Sequence, residues 1–180
     1  MLLAVAYLLL AIRQNRACWP AAIASASIYI VLMYQAGLYM ESALQFFYIG
    51  MAVYGWWHWS RGGPRDNELP VTDWPLAFHV LPLLIIVLLS LASGYLLNNF
   101  SAAAFPYTDS FTTWGAIVTT WMVARKVLQN WHYWFVIDSV SVYLYTQRHL
   151  YLTALLFMVY LLLIVVGYRA WRRSLRESYA

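Results

Sequence analysis

Charge is scarce in this sequence. Only 10% of its 180 residues are Asp, Glu, Lys or Arg, against about 25% in ordinary soluble domains. With 63% of residues hydrophobic, such a chain cannot cover a globular surface with polar groups, and it reads as an integral membrane protein. A single cysteine, Cys18, excludes an intrachain disulfide. Catalytic signatures are missing as well. His58, His79, His132 and His149 are scattered, mostly at the ends of apolar stretches, with no HExxH spacing. There is no GxSxG, no glycine-rich phosphate loop and no close pair of carboxylates inside an apolar stretch. The residues therefore offer no enzyme chemistry, no metal site and no cofactor site. The net charge of +4 comes from arginines set between apolar stretches rather than from one basic face, which argues against nucleic acid as a partner.

Apolar length is plentiful. Seven stretches stand out: Met1–Ile12, Ala17–Met40, Ser42–Trp59, Trp74–Leu97, Ser110–Ala124, Trp131–Thr146 and Leu150–Trp171. A bilayer crossing takes roughly 20 helical residues. The first stretch spans about 18 Å as a helix and lacks the basic start and cleavage site of a signal peptide; either the start codon is misplaced or the first span is stunted and leans on its neighbours. The expected fold class is all-α and integral to the membrane, with seven transmembrane helices. Basic residues fix its orientation. Arg13, Arg16, Arg61, Arg65, Arg125, Lys126, Arg169, Arg172, Arg173 and Arg176 fall on one side, and only Arg148 on the other. The positive-inside rule then puts the N-terminus outside and the C-terminus in the cytoplasm.

The chain also repeats itself. Residues 13–59 align on residues 125–171 without a gap, pairing Arg13 with Arg125, Trp19 with Trp131 and Tyr48 with Tyr160. Gly55 with Gly167 and Trp59 with Trp171 continue the match. Each unit holds three spans, and the stretch 74–97 between them returns the second triplet to the orientation of the first. This is a 3+1+3 parallel repeat, with residues 1–60 as the first triplet, 61–104 as loop plus linker helix, and 105–180 as the second triplet and basic tail. Parallel-repeat transporters hold substrate between their halves near the bilayer midplane.

One span carries an acid. In WHYWFVIDSVSVYLY (Trp131 to Tyr145), Trp131, Trp134, Asp138, Ser141 and Tyr145 share an arc of roughly 80°. A charge at bilayer depth costs about 2.5–3.5 kcal/mol even on the lenient insertion scale, so Asp138 needs a partner or a polar path. On the third span Gln45, Tyr48, Ala52, Gly55, Trp56 and Trp59 share an arc of roughly 100°. The counterpart face offers Phe157, Tyr160 and Trp171. Bland readings stand beside these. Asp138 can bond a neighbouring helix, and Gln45 can serve as interhelical glue. Trp19, Trp57, Trp59, Trp74, Trp131 and Trp171 lie near predicted cytoplasmic ends, where anchoring in the interfacial belt is their first reading. Trp56, Trp121 and Trp134 sit deeper and are the better candidates for solute contact. Thr112, Thr113, Thr119 and Thr120 either bond their own backbone or line a path.

CWPAAIASASIYIVLMYQAGLYMESALQFFYIGMAVYGWWHW resembles the N-terminal half of PnuC-type vitamin transporters. TDSFTTWGAIVTTWMVARKVLQNWHYWFVIDSVSVYLY, with LYLTALLFMVYLLLIVVGYRAW after it, resembles their C-terminal half. YGWW at Tyr54–Trp57 and WxxWxxxD at Trp131, Trp134 and Asp138 are the most specific pieces. The resemblance implies a SWEET-like fold in the bacterial inner membrane, usually a homotrimer. It also implies facilitated diffusion of nicotinamide riboside, trapped by phosphorylation in the cytoplasm; relatives carry thiamine or riboflavin, and transport of thiamine (or riboflavin) on the same scaffold is the second reading. By position it implies that Gln45, Tyr48, Trp56, Trp131, Trp134 and Asp138 line the binding site, with Tyr160 as the repeat counterpart of Tyr48. The family often has Asn where this chain has Asp138. Readings from other classes are a non-transporting sensor or assembly subunit and a sugar carrier on the same frame. An acid beside stacked rings suits a cationic aromatic solute better than a neutral sugar.

Overall fold

The computed structural model describes residues 2–35, 39–61, 69–100, 105–147 and 149–178. Of the basic residues used above, Arg65 and Arg148 lie outside them. Seven α-helices are present among the described residues: α1 (Leu2–Ile12), α2 (Cys18–Gln35), α3 (Tyr39–Arg61), α4 (Val80–Phe100), α5 (Pro106–Ala124), α6 (Asn130–Gln147) and α7 (Tyr151–Ser178). No strand forms among them; Thr72 and Val127 make one isolated parallel bridge.

The helix ends follow the prolines. The fourth stretch was expected to begin at Trp74. Instead Pro75, at φ −64° and ψ 151°, leads into a 3₁₀ turn over Leu76–His79, and α4 starts only at Val80. Proline holds its own φ and removes a donor, which suits a helix entrance. Pro82 fits inside the first turn of α4, where its missing N–H costs nothing. Pro106 opens α5 four residues before the expected Ser110. The last helix continues past Trp171 to Ser178.

The chain divides into two compact units. The first comprises residues 1–72, 123–127 and 166–180. In it α1 packs on α2 and α2 on α3. Gly55 is required by this packing: a Cβ there would stand inside the Trp19 indole. Trp19, Trp59 and Trp171 are 1%, 0% and 0% exposed. These three do not anchor in an interfacial belt; they are core residues, because the close approach at Gly55 and ring-on-ring contact enclose them. Trp57, at 56% exposed, does face outward.

The second unit comprises residues 73–122 and 128–165. Here α4 touches protein along one stripe, Pro82, Ile86, Ser90 and Gly94, spaced every four residues. A Cβ at Gly94 would lie 2.5 Å from the Tyr107 ring, so glycine lets α5 come close. Ser93 Oγ accepts the Trp114 N–H at 3.1 Å, and Ser90 Oγ donates to the Ser110 carbonyl at 3.4 Å. Most of the rest of α4 is exposed leucine, valine and isoleucine. An apolar helix with so narrow a protein contact requires a nonaqueous surrounding, and α4 with its leading turn is long and apolar enough to cross a bilayer, as is α7. Trp131, at 2% exposed, is also core rather than belt.

The sequence repeat has a counterpart in the backbone. Gln14 and Lys126, paired by the alignment, both take left-handed conformations, φ 53° and 50°. Gln14 N donates to the Ala11 carbonyl at 3.0 Å and Lys126 N to the Val123 carbonyl at 2.9 Å. The two loops that enter α2 and α6 therefore turn in the same way.

Candidate functional site

In α6 the polar face points into the protein. Trp131, Asp138 and Ser141 are buried and Trp134 and Tyr145 half-buried, while Phe135, Val136 and Tyr143 on the other side are exposed. The helical period thus places one carboxyl, one hydroxyl and three rings on an inward stripe. Asp138 is 4% exposed. Among the described residues no donor reaches its carboxyl, and no basic side chain pairs with it. A buried carboxylate left this way is costly, and a cationic or hydroxyl-bearing ligand would offset the cost. For the alternative role as a helix-to-helix bond, no bond is present among the described residues.

The other candidates divide by unit. In the second unit Tyr160 packs edge-on against Phe157 at 5.5 Å, and Phe157 against Tyr145 at 5.2 Å. Tyr145 lies on the Asp138 stripe, so this string of rings continues the aromatic wall of α6. In the first unit Gln45 and Tyr48 are half-buried on one side of α3. Trp56 shares their arc in the sequence, yet it is 49% exposed while Ala52, Gly55 and Trp59 are buried. Its indole diverges from the buried stripe because Trp59 fills the interior there.

A cavity of about 350 Å³ opens within the second unit. Leu83, Ile86 and Val87 of α4 and Val136 and Ile137 of α6 line it, with His79 and Tyr133 at one end. None of the seven candidate residues does. His79 Nδ1 and the Tyr133 hydroxyl are 3.0 Å apart and satisfy each other, so the walls offer few groups to a nucleoside. Nor do His, Cys, Asp and Glu gather anywhere among the described residues in a group fit for a metal.

Two polar residues gain weight only from the structure. Asn130, 0% exposed, opens α6 next to Trp131. Thr119 on α5 is 0% exposed, and its hydroxyl has no partner among the described residues. Thr112 and Thr120 bond carbonyls of their own helix, whereas Thr119 is a fully buried threonine of this group able to serve a ligand. Sequence alone left the threonines equivalent, since burial separates them and pattern does not.

Residues 1–173 match the family model described as nicotinamide mononucleotide transporter. The nicotinamide riboside transporter PnuC of Escherichia coli (strain K12) is 23% identical, over 84% of this chain and 74% of that protein. The riboflavin/roseoflavin transporter RibM of Streptomyces davaonensis is 25% identical, over 95% of this chain and 82% of that protein. A crystal structure of the vitamin B3 transporter PnuC superimposes with a TM-score of 0.73 at 18% identity, covering 95% of this chain and 77% of that one. These matches are transporters, not enzymes, and the last shows a shared fold.

Proposed function

The chain belongs to the nicotinamide mononucleotide transporter family, and from that premise we propose that it carries nicotinamide riboside across the bacterial inner membrane by facilitated diffusion. It is a membrane transporter of the vitamin-carrying kind; the choice of vitamin is the proposal. The observation that carries it is Asp138, buried on the aromatic stripe of α6 and with no donor among the described residues. Nicotinamide riboside presents a cationic pyridinium ring with ribose hydroxyls. An indole face attracts such a ring by about 0.5–2 kcal/mol, and a carboxylate in a site poor in water adds Coulomb attraction. Trp134 and Asp138 would hold the ring with Trp131 and Tyr160 behind them. Gln45 and Tyr48 would bond the polar groups, and Trp56 would contribute a further ring. Passive movement suffices if the riboside is phosphorylated in the cytoplasm and so cannot leave.

The proposed arrangement is the 3+1+3 parallel repeat of SWEET-like carriers, with seven spans, an external N-terminus, a cytoplasmic C-terminus and three copies per assembly. The matching loops at Gln14 and Lys126 support the repeat. A second reading, riboflavin, is favoured by the similarity to RibM. Riboflavin is neutral and gains little from a carboxylate, so Asp138 separates the two.

Uptake into proteoliposomes of radiolabelled nicotinamide riboside, riboflavin and thiamine, each in separate vesicles, tests the reading. Riboside uptake that saturates and needs no ion gradient is expected. Uptake of riboflavin alone would replace the vitamin. No uptake of any of the three by well-folded protein would remove transport of these vitamins.

A further inference from the structure

Three tryptophans make one dry cluster in the first unit. Trp19 and Trp59 meet edge to face with centroids 5.3 Å apart, and Trp59 and Trp171 with centroids 6.0 Å apart. Trp59 Nε1 donates to the Val123 carbonyl at 3.1 Å, and Trp171 Nε1 donates to the Ala11 carbonyl at 3.0 Å. These two bonds are counterparts. The 112-residue offset that pairs Trp59 with Trp171, carried two residues beyond the start of the aligned stretches, sets Ala11 against Val123, so each donor reaches from its own half into the other. Lys126, 2% exposed, stands 4.7 Å above the Trp59 ring and donates to Gln14 Oε1 at 3.2 Å. Gln14 and Lys126 are again counterparts, 112 residues apart. The Thr72 amide adds a bond to the Lys126 carbonyl at 2.9 Å.

None of these residues is a proposed vitamin contact, so the cluster has work of its own. A carrier must part its walls at one end and then at the other, through states close enough in free energy to interconvert during turnover. Parting this cluster would wet three indoles, each burying about 150–250 Å². It would also break two reciprocal hydrogen bonds. An opening that exposes so much is a poor candidate for a step repeated in every cycle.

We propose that this reciprocal tryptophan joint is a fixed hinge between the two sequence repeats, closed in both access states, with Lys126 and Gln14 as its positioning pair. The inference rests on the transport reading for its role in turnover, though not for the existence of the joint. Two measurements test these parts separately. For the joint, Lys126→Gln lowers the melting temperature of the detergent-solubilised protein, and adding Gln14→Lys restores most of the loss by rebuilding the pair in exchanged positions. A double variant no more stable than the single one would overturn the pairing. For the hinge, Cys18 is a native reporter: it is the only cysteine, is 0% exposed and neighbours Trp19. In vesicles that take up vitamin, Cys18 should react with N-ethylmaleimide at least 100-fold more slowly than in unfolded chain, at the same rate with and without saturating nicotinamide riboside on both sides. Labelling that quickens tenfold during exchange would make the cluster a gate and sink the hinge. Vesicles that take up no vitamin would count against transport, while the exchange of Gln14 and Lys126 would still judge the joint.

Discussion

At the scale of single residues, burial decides what composition leaves open. Gly50 and Gly55 look alike in the sequence, five residues apart in α3. A Cβ at Gly50 meets nothing within 4 Å, whereas at Gly55 it meets the Trp19 indole. Gly55→Ala should therefore cost about 1–3 kcal/mol by overpacking. Gly50→Ala should be neutral or stabilising by up to about 1 kcal/mol, since alanine is the better helix former. Thermal unfolding in detergent, followed by circular dichroism, reads both; equal effects would contradict the packing described at Trp19. Asp138 was legible from its helical face, because a charge inside an apolar stretch announces itself. Thr119 was not, since its significance lies in a buried hydroxyl without a partner, and four threonines in one stretch give no means of choosing.

At the scale of elements, the existence of the helices was more legible in the chain than the roles of its tryptophans. Apolar runs mark the seven helices; Pro75 and Pro106 account for the shifted starts of α4 and α5, and α7 runs seven residues past the expected Trp171. The indoles were harder. Trp57 and Trp59 are two residues apart near one helix end, where belt anchoring suits both. Only long-range packing separates them, and no local pattern encodes the Trp59 bond to Val123. Trp59→Phe should cost about 0.5–1.5 kcal/mol, because the Val123 carbonyl loses its indole donor and keeps only the Lys126 N–H. Trp57→Phe, on an exposed side chain, should stay within about 0.5 kcal/mol. Comparable melting temperatures for these two variants would place Trp59 in the belt after all. In the second unit Tyr133→Phe removes the bond to His79 and should cost about 0.5–1.5 kcal/mol, with vitamin affinity unchanged, since the cavity there is not the proposed site. A tenfold loss of affinity in that variant would move the site to the cavity.

At the scale of the whole molecule, composition carried the class, and the sequence repeat is the ground for the proposed architecture. Scarce charge, seven apolar runs and ten basic residues on alternate loops were each visible in the chain alone. The reciprocal bonds of Trp59 and Trp171 were not, because the alignment names counterparts without saying which of them touch. Orientation is testable at this scale: a cysteine placed at Arg173, in a Cys18→Ala background, should react with a membrane-impermeant maleimide only after the cell membrane is permeabilised. Labelling in intact spheroplasts would invert the topology. The central claim, that a cationic vitamin is held by the aromatic and acidic stripe of α6, is tested most directly by calorimetric titration of the purified protein with nicotinamide riboside. The intact chain should bind, and Trp134→Ala and Asp138→Ala should each lose about tenfold or more in affinity, equivalent to about 1.4 kcal/mol, with melting temperatures showing that both variants are folded. Undiminished binding in both, or no binding by the intact chain, would contradict the account.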